Sequence, residues 1–590
     1  MLYKYINDKK SVKTQIRALE NSKGEITNDQ FAIASELNKY FHSVYVEDND
    51  TGDTESGNIS IHLLETVKLT QEDVQTKLKA LDKSKSVGCD LVHPHVLKEC
   101  CPSISYPLYL VFKKSIETGI LPDMWKKANV TPLFKKGSKL KASNYRPVSL
   151  TSIPCKILER IIADCIMEHL LKNNLLAKEQ HGFVKGKSCT TNLLEYLDIL
   201  TDAFHNGIPI DVLYTDFKKA FDSVSLKKLL SKLCASGISG ILLKWIECFL
   251  SNRKQRVVMG DCVTDWSDVL SGVPQGSVLG PLLFLIFIND LPKGLINVCR
   301  LYADDNKIIA PISSQSDSKV FHDINLLDEW SVKWKLGLNF EKCKIMHFGS
   351  NNKEYPYFMK NNNELMKIEK STLEKDIGVY ISSDLKWAKQ VKYAAGKANS
   401  MLSLLNNTFK YKDKVLMKTL YCTYVRPNLE FAIQAWSPFY NKDINELEKV
   451  QRRATKMIPE LRHLDYENRL KALDLTTLEV RRLRGDLIQQ FKIYKGFEII
   501  ELKHAQFPAH SINTSGPASN IRGNKHRLQS ELVKTCSRRQ NFFTNRVIEG
   551  WNSLPSEIVE SNSINTFKSK LESINLQEII DRKKIKRAYF

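Results

Sequence analysis

The sequence lacks the features of a secreted or membrane protein. Its first residues, MLYKYIND, are too polar for a signal peptide, and no lipidation signal is present. The longest apolar run, residues 278–288, is too short to span a bilayer and predicts a buried helix. We therefore expect no membrane partner and a location in the nucleus or cytoplasm.

Cysteine motifs and internal repeats are also missing. The 13 cysteines are scattered, and none belongs to a C-x-x-C pair, so the sequence predicts no zinc knuckle. Free thiols in a reducing compartment are the expected state. No repeat of 20 to 50 residues is visible, which argues against a solenoid or an array.

Acidic charge is in short supply. The chain of 590 residues has 87 Lys and Arg against 66 Asp and Glu, which gives a net charge of +21. Such an excess in a long chain predicts a polyanionic partner, and nucleic acid is the most common one. A membrane surface is the weaker alternative, because no basic amphipathic anchor is present.

Three carboxylates follow apolar strand patterns at two places. Asp304 and Asp305 lie at the tip of a predicted strand, turn and strand over residues 298–310, and Asp216 ends the apolar run 210–216. An isolated acidic pair is most simply a solvated turn. Three carboxylates brought together from two strand ends would instead suit two divalent cations and in-line phosphoryl displacement.

Two further segments suggest a phosphate-binding and a close-packing function. Residues 130–150 predict two strands around a loop with basic residues, namely Lys135, Lys136, Lys139 and Arg146. These could converge on a triphosphate or form a solvated basic hairpin, and the segment alone favours neither. In residues 271–281 (SGVPQGSVLGP), three glycines would let a backbone or a flat ligand approach closely.

Together these segments resemble a known family. DFKKAFD at residues 216–222, SGVPQGSVLGP at 271–281 and YADD at 302–305 resemble, in this order, the palm motifs of reverse transcriptases from non-LTR (LINE-type) retrotransposons, closest to the jockey-like group. The resemblance extends to further short segments at residues 86–90, 144–150, 339–344, 376–379, 425–430 and 447–453.

The resemblance implies an α+β, right-hand polymerase with a small antiparallel palm sheet. The implied divisions are a helical N-terminal segment with an acidic linker (1–60), fingers (61–210), the reverse transcriptase domain with the fingers and palm motifs (115–382), a helical thumb (383–470) and a helical basic C-terminal region (471–590). The implied activity is RNA-directed DNA synthesis, with an RNA template, a DNA primer or target and dNTPs as partners.

The resemblance also implies roles for single residues. Asp216, Asp304 and, less directly, Asp305 would hold two Mg²⁺ ions, or Mn²⁺ in their place. Phe221 resembles the steric gate against ribonucleotides, and Arg146 resembles the fingers arginine on the triphosphate. The remaining dNTP contacts would come from Lys136 or Lys139 beside Arg146, from Gln275 and Gly276 beside the nascent base pair, and from Lys342, or else Lys344, near the pyrophosphate.

Two departures from the family pattern leave alternatives open. Asn306 follows the Asp pair where relatives often have Thr, and about 85 residues before the fingers motif are too few for an endonuclease. We therefore expect endonuclease activity to come from another chain. The alternatives are a silent or domesticated RNA-binding remnant, against which the intact carboxylates argue, and a group II intron-type reverse transcriptase with maturase function.

The C-terminal region predicts an RNA-binding surface. Aromatic residues Phe542, Phe543 and Trp551 stand among basic residues, and the chain closes on a basic run at 582–587. The basic residues are Arg522, Lys525, Arg527, Lys534, Arg538, Arg539 and Arg546. Cations would neutralise phosphates while rings stack on unpaired bases. The alternative is a solvated helical cap with the three aromatic residues in its core.

Overall fold

The computed structural model describes residues 16–46, 60–312, 317–361, 364–503 and 526–588. Within these ranges helices and strands both contribute to the core, so the predicted α+β class is confirmed. The chain forms two compact units that alternate along the sequence. Unit 1 takes its described residues from 1–183, 216–295 and 324–340, and unit 2 takes its own from 184–215, 296–323 and 341–590.

The helices cover about half of the described chain. In the first half they are α1 (Gln30–Ser43), α2 (Gln71–Lys79), α3 (Pro94–Glu99), α4 (Cys101–Thr118), α5 (Ile153–Lys172), α6 (Cys189–Asn206), α7 (Leu226–Ala235), α8 (Gly240–Leu250), α9 (Leu279–Ile288) and α10 (Asp317–Trp334). They continue as α11 (Ala388–Thr408), α12 (Lys414–Leu420), α13 (Arg426–Glu430), α14 (Ile433–Trp436), α15 (Asn441–Lys456), α16 (Tyr466–Ala472), α17 (Leu478–Tyr494), α18 (Ser537–Gln540), α19 (Phe543–Arg546), α20 (Ile548–Asn552), α21 (Ser556–Val559), α22 (Ile564–Leu571) and α23 (Leu576–Ala588).

The strands are short and fall into small sheets. They are β1 (Leu19–Glu20), β2 (Ile26–Thr27), β3 (Lys127–Phe134), β4 (Tyr145–Leu150), β5 (Ile210–Thr215), β6 (Arg253–Met259), β7 (Cys262–Val263), β8 (Ser267–Val269), β9 (Val298–Tyr302), β10 (Asp305–Pro311), β11 (Lys344–Phe348), β12 (Phe358–Asn361), β13 (Glu364–Lys367), β14 (Glu369–Lys370), β15 (Leu373–Asp376) and β16 (Val379–Ser382).

Local sequence signals explain where several elements begin. Thr70 and Asp73 form a capping box at the start of α2, in which the Thr70 hydroxyl accepts from the Asp73 amide and the Asp73 carboxylate accepts from the Thr70 amide. The apolar run 278–288 forms α9, which is buried on nearly every side, as predicted. No helix within the described ranges is both long and apolar enough to cross a membrane.

Sheet I of unit 1 has the strand order β4-β3-β6-β7, with β8 also paired to β6. The predicted basic hairpin is β3 and β4, which pair antiparallel with Arg146 opposite Leu133. Helix α1 packs on this sheet, because Leu37 and Phe41 share a buried cluster with Val130 on β3. The N-terminal helix therefore supports the strand that carries Arg146.

Sheet II of unit 2 has the strand order β14-β11-β5-β10-β9. Strands β9 and β10 form the predicted hairpin, with Asp305 opposite Tyr302. Strand β10 also pairs antiparallel with β5, and this register sets Asn306 opposite Thr215. The predicted antiparallel sheet around the acidic residues is thus present, and β14 adds one parallel edge to it.

Candidate active site

The acidic pair lies on a tight turn between β9 and β10. Ala303 has φ +55, a left-handed conformation that costs a non-glycine residue of order 1 kcal/mol or more. Asp304 is half-buried at this turn, and Asp305 is exposed at the start of β10. The strained turn holds the two carboxylates at the end of sheet II.

Asp216 follows the last residue of β5. Its carbonyl accepts a hydrogen bond of 2.7 Å from the Asn339 amide, and the next residue, Phe217, makes an antiparallel bridge with Leu338. The backbone at Asp216 is therefore held on both sides, while its side chain stays half-buried. Thr215, one peptide bond earlier, pairs with Asn306 in sheet II.

The donor chemistry at these positions fits a divalent cation, because carboxylate oxygens are the ligands that hard cations prefer. Among the described residues, however, no group of three or more His, Cys, Asp or Glu side chains is arranged to hold a metal ion. The structure thus supplies suitable donors, and their assembly into a metal site is a proposal.

Asp222 and Gln275 hold the 271–281 loop in unit 1. The Gln275 amide nitrogen donates to both oxygens of the Asp222 carboxylate, each at 2.8 Å. The hydroxyl of Ser271 donates to the Asp222 carbonyl at 2.7 Å. Asp222 therefore fixes the direction of the Gln275 side chain and one end of the loop.

Burial changes the acidity of Asp222. It raises the pKa of this carboxyl to about 6, although the Gln275 hydrogen bond and the positive charges of Lys219 and Arg146 act in the opposite direction. Near neutral pH the carboxylate is ionised and accepts from Gln275. The positive charge of Arg146 thus acts on the Asp222 carboxyl, and a shared functional site of Arg146 and the loop stays a prediction.

The predicted gate residue Phe221 precedes Asp222. Its ring is half-buried and stacks on Phe284 of α9, with ring centroids 4.6 Å apart. Gly272 lies against the backbone here, since a Cβ on it would be 2.7 Å from the Phe221 carbonyl oxygen. Residues 217–222 form turns instead of the start of a helix, and α7 begins only at Leu226.

The loop also contacts the strand that carries Arg146. The Ser149 amide of β4 donates to the Gln275 carbonyl at 2.8 Å. Gly276 has φ +124, and a Cβ on it would lie 2.4 Å from the Ser149 carbonyl oxygen, so only glycine fits this approach. Unit 1 therefore brings Arg146, Phe221, Gln275 and Gly276 into one connected arrangement.

The predicted lysines of the triphosphate site lie on exposed chain. Lys136 and Lys139 are both exposed on the β3–β4 loop, and the Lys139 ammonium lies 5.7 Å from the centre of the Phe134 ring. These contacts do not favour one lysine over the other as the companion of Arg146.

The predicted pyrophosphate lysines differ in their surroundings. Lys342 is exposed in a 3₁₀ turn, Phe340–Lys342, whereas Lys344 on β11 forms an ion pair of 2.5 Å with Glu369. These surroundings do not decide between Lys342 and Lys344, and the role near the pyrophosphate stays a prediction.

Sequence reasoning quoted Asp222 within a motif but gave it no role, and it missed Glu159. The Glu159 side chain is fully buried and accepts from the backbone amides of Val278 at 2.7 Å and Leu279 at 3.1 Å. A carboxylate at the start of α9 is favourable with the helix dipole and anchors the end of the loop. A Glu inside the apolar α5 pattern was the available signal.

The predicted stacking role of the C-terminal aromatic residues is wrong. Phe542, Phe543 and Trp551 are at most 3% exposed and form part of the core of unit 2. Among the cations, Arg539 is buried in ion pairs and Arg546 pairs with Asp486 at 2.8 Å. The other predicted residues Arg522 and Lys525 lie outside the described residues.

Comparisons with known proteins agree with this arrangement. The reverse transcriptase (RNA-dependent DNA polymerase) family model matches residues 133–394. The chain is 25% identical over 404 residues to the RNA-directed DNA polymerase from mobile element jockey of Drosophila funebris, which covers 66% of this chain and 44% of the relative. It is 22% identical over 393 residues to the probable RNA-directed DNA polymerase from transposon X-element of Drosophila melanogaster, covering 64% and 42%.

A third relative, the probable RNA-directed DNA polymerase from transposon BS of Drosophila melanogaster, is 24% identical over 407 residues, covering 66% of this chain and 44% of the relative. The chain therefore matches less than half the length of these curated relatives. The matched region contains Asp216, Asp304, Asp305 and the 271–281 loop, and such a domain has a palm-type polymerase fold. Residues 133–394 thus form a reverse transcriptase domain, and the chain has homologues among the RNA-directed DNA polymerases of non-LTR retrotransposons such as jockey.

Proposed function

We propose that the protein is an RNA-directed DNA polymerase that copies RNA into DNA by target-primed synthesis, starting from a nick in the target DNA. The pairing of Asn306 with Thr215 carries this proposal. It fixes the register between the strand that begins with Asp305 and the strand that precedes Asp216. We infer that Asp216, Asp304 and Asp305 act as one carboxylate group.

The carboxylates would hold two divalent cations, Mg²⁺ or Mn²⁺, which supply activation of the primer hydroxyl and neutralisation of the leaving oxygen. Asp216 and Asp304 are the main ligands, since both are half-buried. Asp305 is exposed and contributes less. The strained turn at Ala303 keeps the pair oriented without a change in conformation during the reaction.

The nucleotide would be held by side chains of unit 1. Arg146 presents a planar guanidinium to two phosphate oxygens, with Lys136 or Lys139 beside it. Gln275, held by Asp222, and Gly276 lie beside the nascent base pair. Phe221, supported by Phe284, leaves no room for a ribose 2′-hydroxyl. Lys342 would donate a proton to the leaving pyrophosphate or stabilise its negative charge.

The divisions inferred from the resemblance fit this proposal. Residues 61–210 would form the fingers, within a reverse transcriptase domain at 115–382. Residues 383–470 would form the thumb, and residues 471–590 would form a C-terminal region within unit 2.

The proposal is tested by extension of oligo(dT) on poly(rA) with dTTP and Mg²⁺. The parent chain should extend the primer, and Asp216→Asn and Asp304→Asn should each lose at least about a thousandfold in rate, because a lost metal ligand removes positioning and charge neutralisation together. Asp261→Asn is the matched control, since Asp261 is an exposed acid in the β6–β7 turn. The control should behave like the parent.

RNA binding separates loss of chemistry from loss of fold. Both variants should bind RNA within about twofold of the parent. The replaced carboxylates are negatively charged like the RNA phosphates, so they do not contribute attraction to RNA. Extension by either variant within about tenfold of the parent would remove the assignment. RNA binding by a parent that extends no primer would favour the RNA-binding remnant.

A further inference from the structure

A concave surface of unit 2 is lined almost entirely by cations. It lies between α15, the 3₁₀ turn Pro459–Leu461 and α16. It is open to solvent and has a volume of about 650 Å³. Its lining residues are Arg452, Arg453, Lys456, Met457, Arg462 and Arg469. Five of the six are basic and none is acidic, so this basic hollow carries a concentrated positive charge.

The cations of the basic hollow have no acidic partners among the described residues. Arg452, Arg453, Lys456 and Arg462 are exposed, and none of them forms an ion pair. On the same helix α15, by contrast, Lys449 outside the hollow pairs with Glu446 at 3.0 Å. The absence of pairing is therefore a property of the hollow and leaves its charge available to a ligand.

Arg469 lies at the base of the basic hollow and is only 8% exposed. Its guanidinium donates to the Thr455 hydroxyl at 3.1 Å and to the Leu464 carbonyl at 2.6 Å, which are neutral acceptors. A buried guanidinium without a carboxylate is costly unless an anion compensates it. Arg469 thus adds to the hollow a buried positive charge that no ion pair neutralises among the described residues.

Arg452 is held in place before any ligand arrives. Its guanidinium lies 4.0 Å from the centre of the Tyr466 ring. The Tyr466 hydroxyl in turn accepts from the Gln451 amide at 2.9 Å and donates to Glu448. Stacking on an anchored ring reduces the conformational entropy that Arg452 would lose on binding.

We propose that the basic hollow binds consecutive phosphates of an RNA backbone. Five cations exceed what a single phosphate group needs, and an open hollow of this volume admits an extended polyanion. A lipid surface fits poorly, since Met457 is the single apolar side chain of the lining. The inference rests on the proposed function, because it gives the template RNA a second contact away from the nucleotide-binding residues.

The inference also replaces the predicted C-terminal grip. Arg539 and Arg546 are engaged by Asp198, Glu531 and Asp486, so their charge is already compensated inside unit 2. The cations of the hollow lack such partners. RNA affinity should therefore depend on the hollow more than on these C-terminal arginines.

The test compares two triple variants of the full chain. In the hollow variant, Arg453→Gln, Lys456→Gln and Arg462→Gln remove three exposed charges and leave the buried Arg469 intact. In the matched control, Lys410→Gln, Lys414→Gln and Lys471→Gln remove three exposed charges of unit 2 outside the hollow. Binding of a labelled single-stranded 30-nucleotide RNA is measured across salt concentrations, with circular dichroism as the check of folding.

The hollow variant should bind at least about tenfold more weakly than the parent at moderate salt. Its slope of log K against log salt should be shallower by about 2, since each lost phosphate contact contributes about 0.7. The control slope should change by less than about 0.7, the value of one contact. Equal losses in both variants would overturn the proposal, because they would report net charge alone.

Primer extension distinguishes this inference from the proposed function. If the parent extends a primer and the hollow variant keeps the parental salt slope, the hollow fails and the polymerase assignment stands. If the parent extends no primer but the hollow variant still loses RNA affinity selectively, the hollow is an RNA site and the polymerase assignment fails.

Discussion

At the scale of single residues, burial raises the pKa of the Asp222 carboxyl beside the 271–281 loop. Asp222 stands six positions after Asp216, at the end of a turn that also carries Phe221. Its carboxylate is enclosed by the 271–281 loop, and both of its oxygens accept from Gln275. Its protonation should therefore influence both the stability of unit 1 and the position of Gln275.

The raised pKa of Asp222 predicts a pH dependence of stability. The folded state keeps this proton up to a pKa of about 6, whereas the ordinary pKa of an aspartate is 3.8. The stability that the protonated group contributes is complete below pH 3.8 and is lost as the pH rises through 6. Asp222→Asn removes this loss, so its stability relative to the parent should rise by roughly 2 kcal/mol between pH 4 and pH 7.

Denaturant unfolding at the two pH values, followed by a probe in unit 1, measures this difference. Asp261→Asn, which replaces an exposed acid of the same unit, is the control and should show no comparable rise. A stability difference for Asp222→Asn that is the same at pH 4 and pH 7 would show that burial does not perturb this carboxyl.

The Phe221 ring is stacked on Phe284, which holds it in a fixed position. A residue that excludes ribonucleotides by steric contact needs such a fixed position. Phe221→Val should raise the use of ribonucleotides by roughly ten- to a hundredfold, equivalent to about 1.4 to 3 kcal/mol of lost discrimination. Single-nucleotide incorporation of rGTP and dGTP measures the ratio. An unchanged ratio would make Phe221 a core aromatic only.

At the scale of elements, the 271–281 loop couples the nucleotide residues to sheet I. Gly276 approaches Ser149 of β4 so closely that a Cβ would lie 2.4 Å from its carbonyl oxygen. Gly276→Ala should push the loop away from β4 and displace Gln275. Because a shift of about 1 Å at a reacting centre can cost about a hundredfold, we expect such a loss in kcat/KM for dNTPs.

Gly260→Ala is the matched control for Gly276→Ala. Gly260 also has a positive φ, +61, but no atom lies within 4 Å of a Cβ placed there. It should therefore cost about 1 kcal/mol of stability through backbone strain and leave dNTP use unchanged. Equal catalytic losses in the two variants would indicate general strain instead of the contact with Ser149.

Elements defined by local signals could be predicted from the sequence. The capping box at Thr70, the apolar run of α9 and the turn after Tyr302 depend on residues within a few positions of one another. The sequence motifs likewise predict that Arg146 and Gln275 act together, and the structure joins their segments through the hydrogen bond from Ser149 of β4 to Gln275.

Features that depend on distant packing could not be predicted. The contact of α1 with sheet I joins Phe41 to Val130 and Val257, which are far apart in sequence. The spacing of Phe542, Phe543 and Trp551 is the same whether the rings face solvent or a core. Their burial is decided by partners such as Tyr494, whose ring lies 5.5 Å from that of Trp551.

At the scale of the whole molecule, the net charge of +21 is not spread evenly. Part of the basic excess of the C-terminal region is compensated by acids of unit 2, as at Arg539 and Arg546. The basic hollow is uncompensated among the described residues. Composition alone therefore predicts the class of partner, whereas ion pairing decides which cations face it.

The last prediction concerns removal of the C-terminal region. Arg539 is fully buried and pairs with Asp198 at 2.6 Å and Glu531 at 2.8 Å, while Phe567 stacks on Phe491 with centroids 4.1 Å apart. Deletion of residues 526–590 would leave Asp198 without its cation and expose Phe491. We therefore expect the truncated chain to lose the fold of unit 2. If the C-terminal region only bound RNA, its removal would leave that fold intact.

A pair of point variants gives this expectation a magnitude. Arg539→Ala should cost about 3 to 5 kcal/mol, because it removes the arginine that neutralises the buried Asp198 carboxylate. Arg582→Ala, at an arginine whose side chain is 68% exposed, should cost less than about 1 kcal/mol. Solubility and limited proteolysis follow the truncated chain. The truncated chain could instead be soluble and protease-resistant, with a shallower slope of log K for RNA against log salt. That result would show that the C-terminal region is the RNA-binding surface.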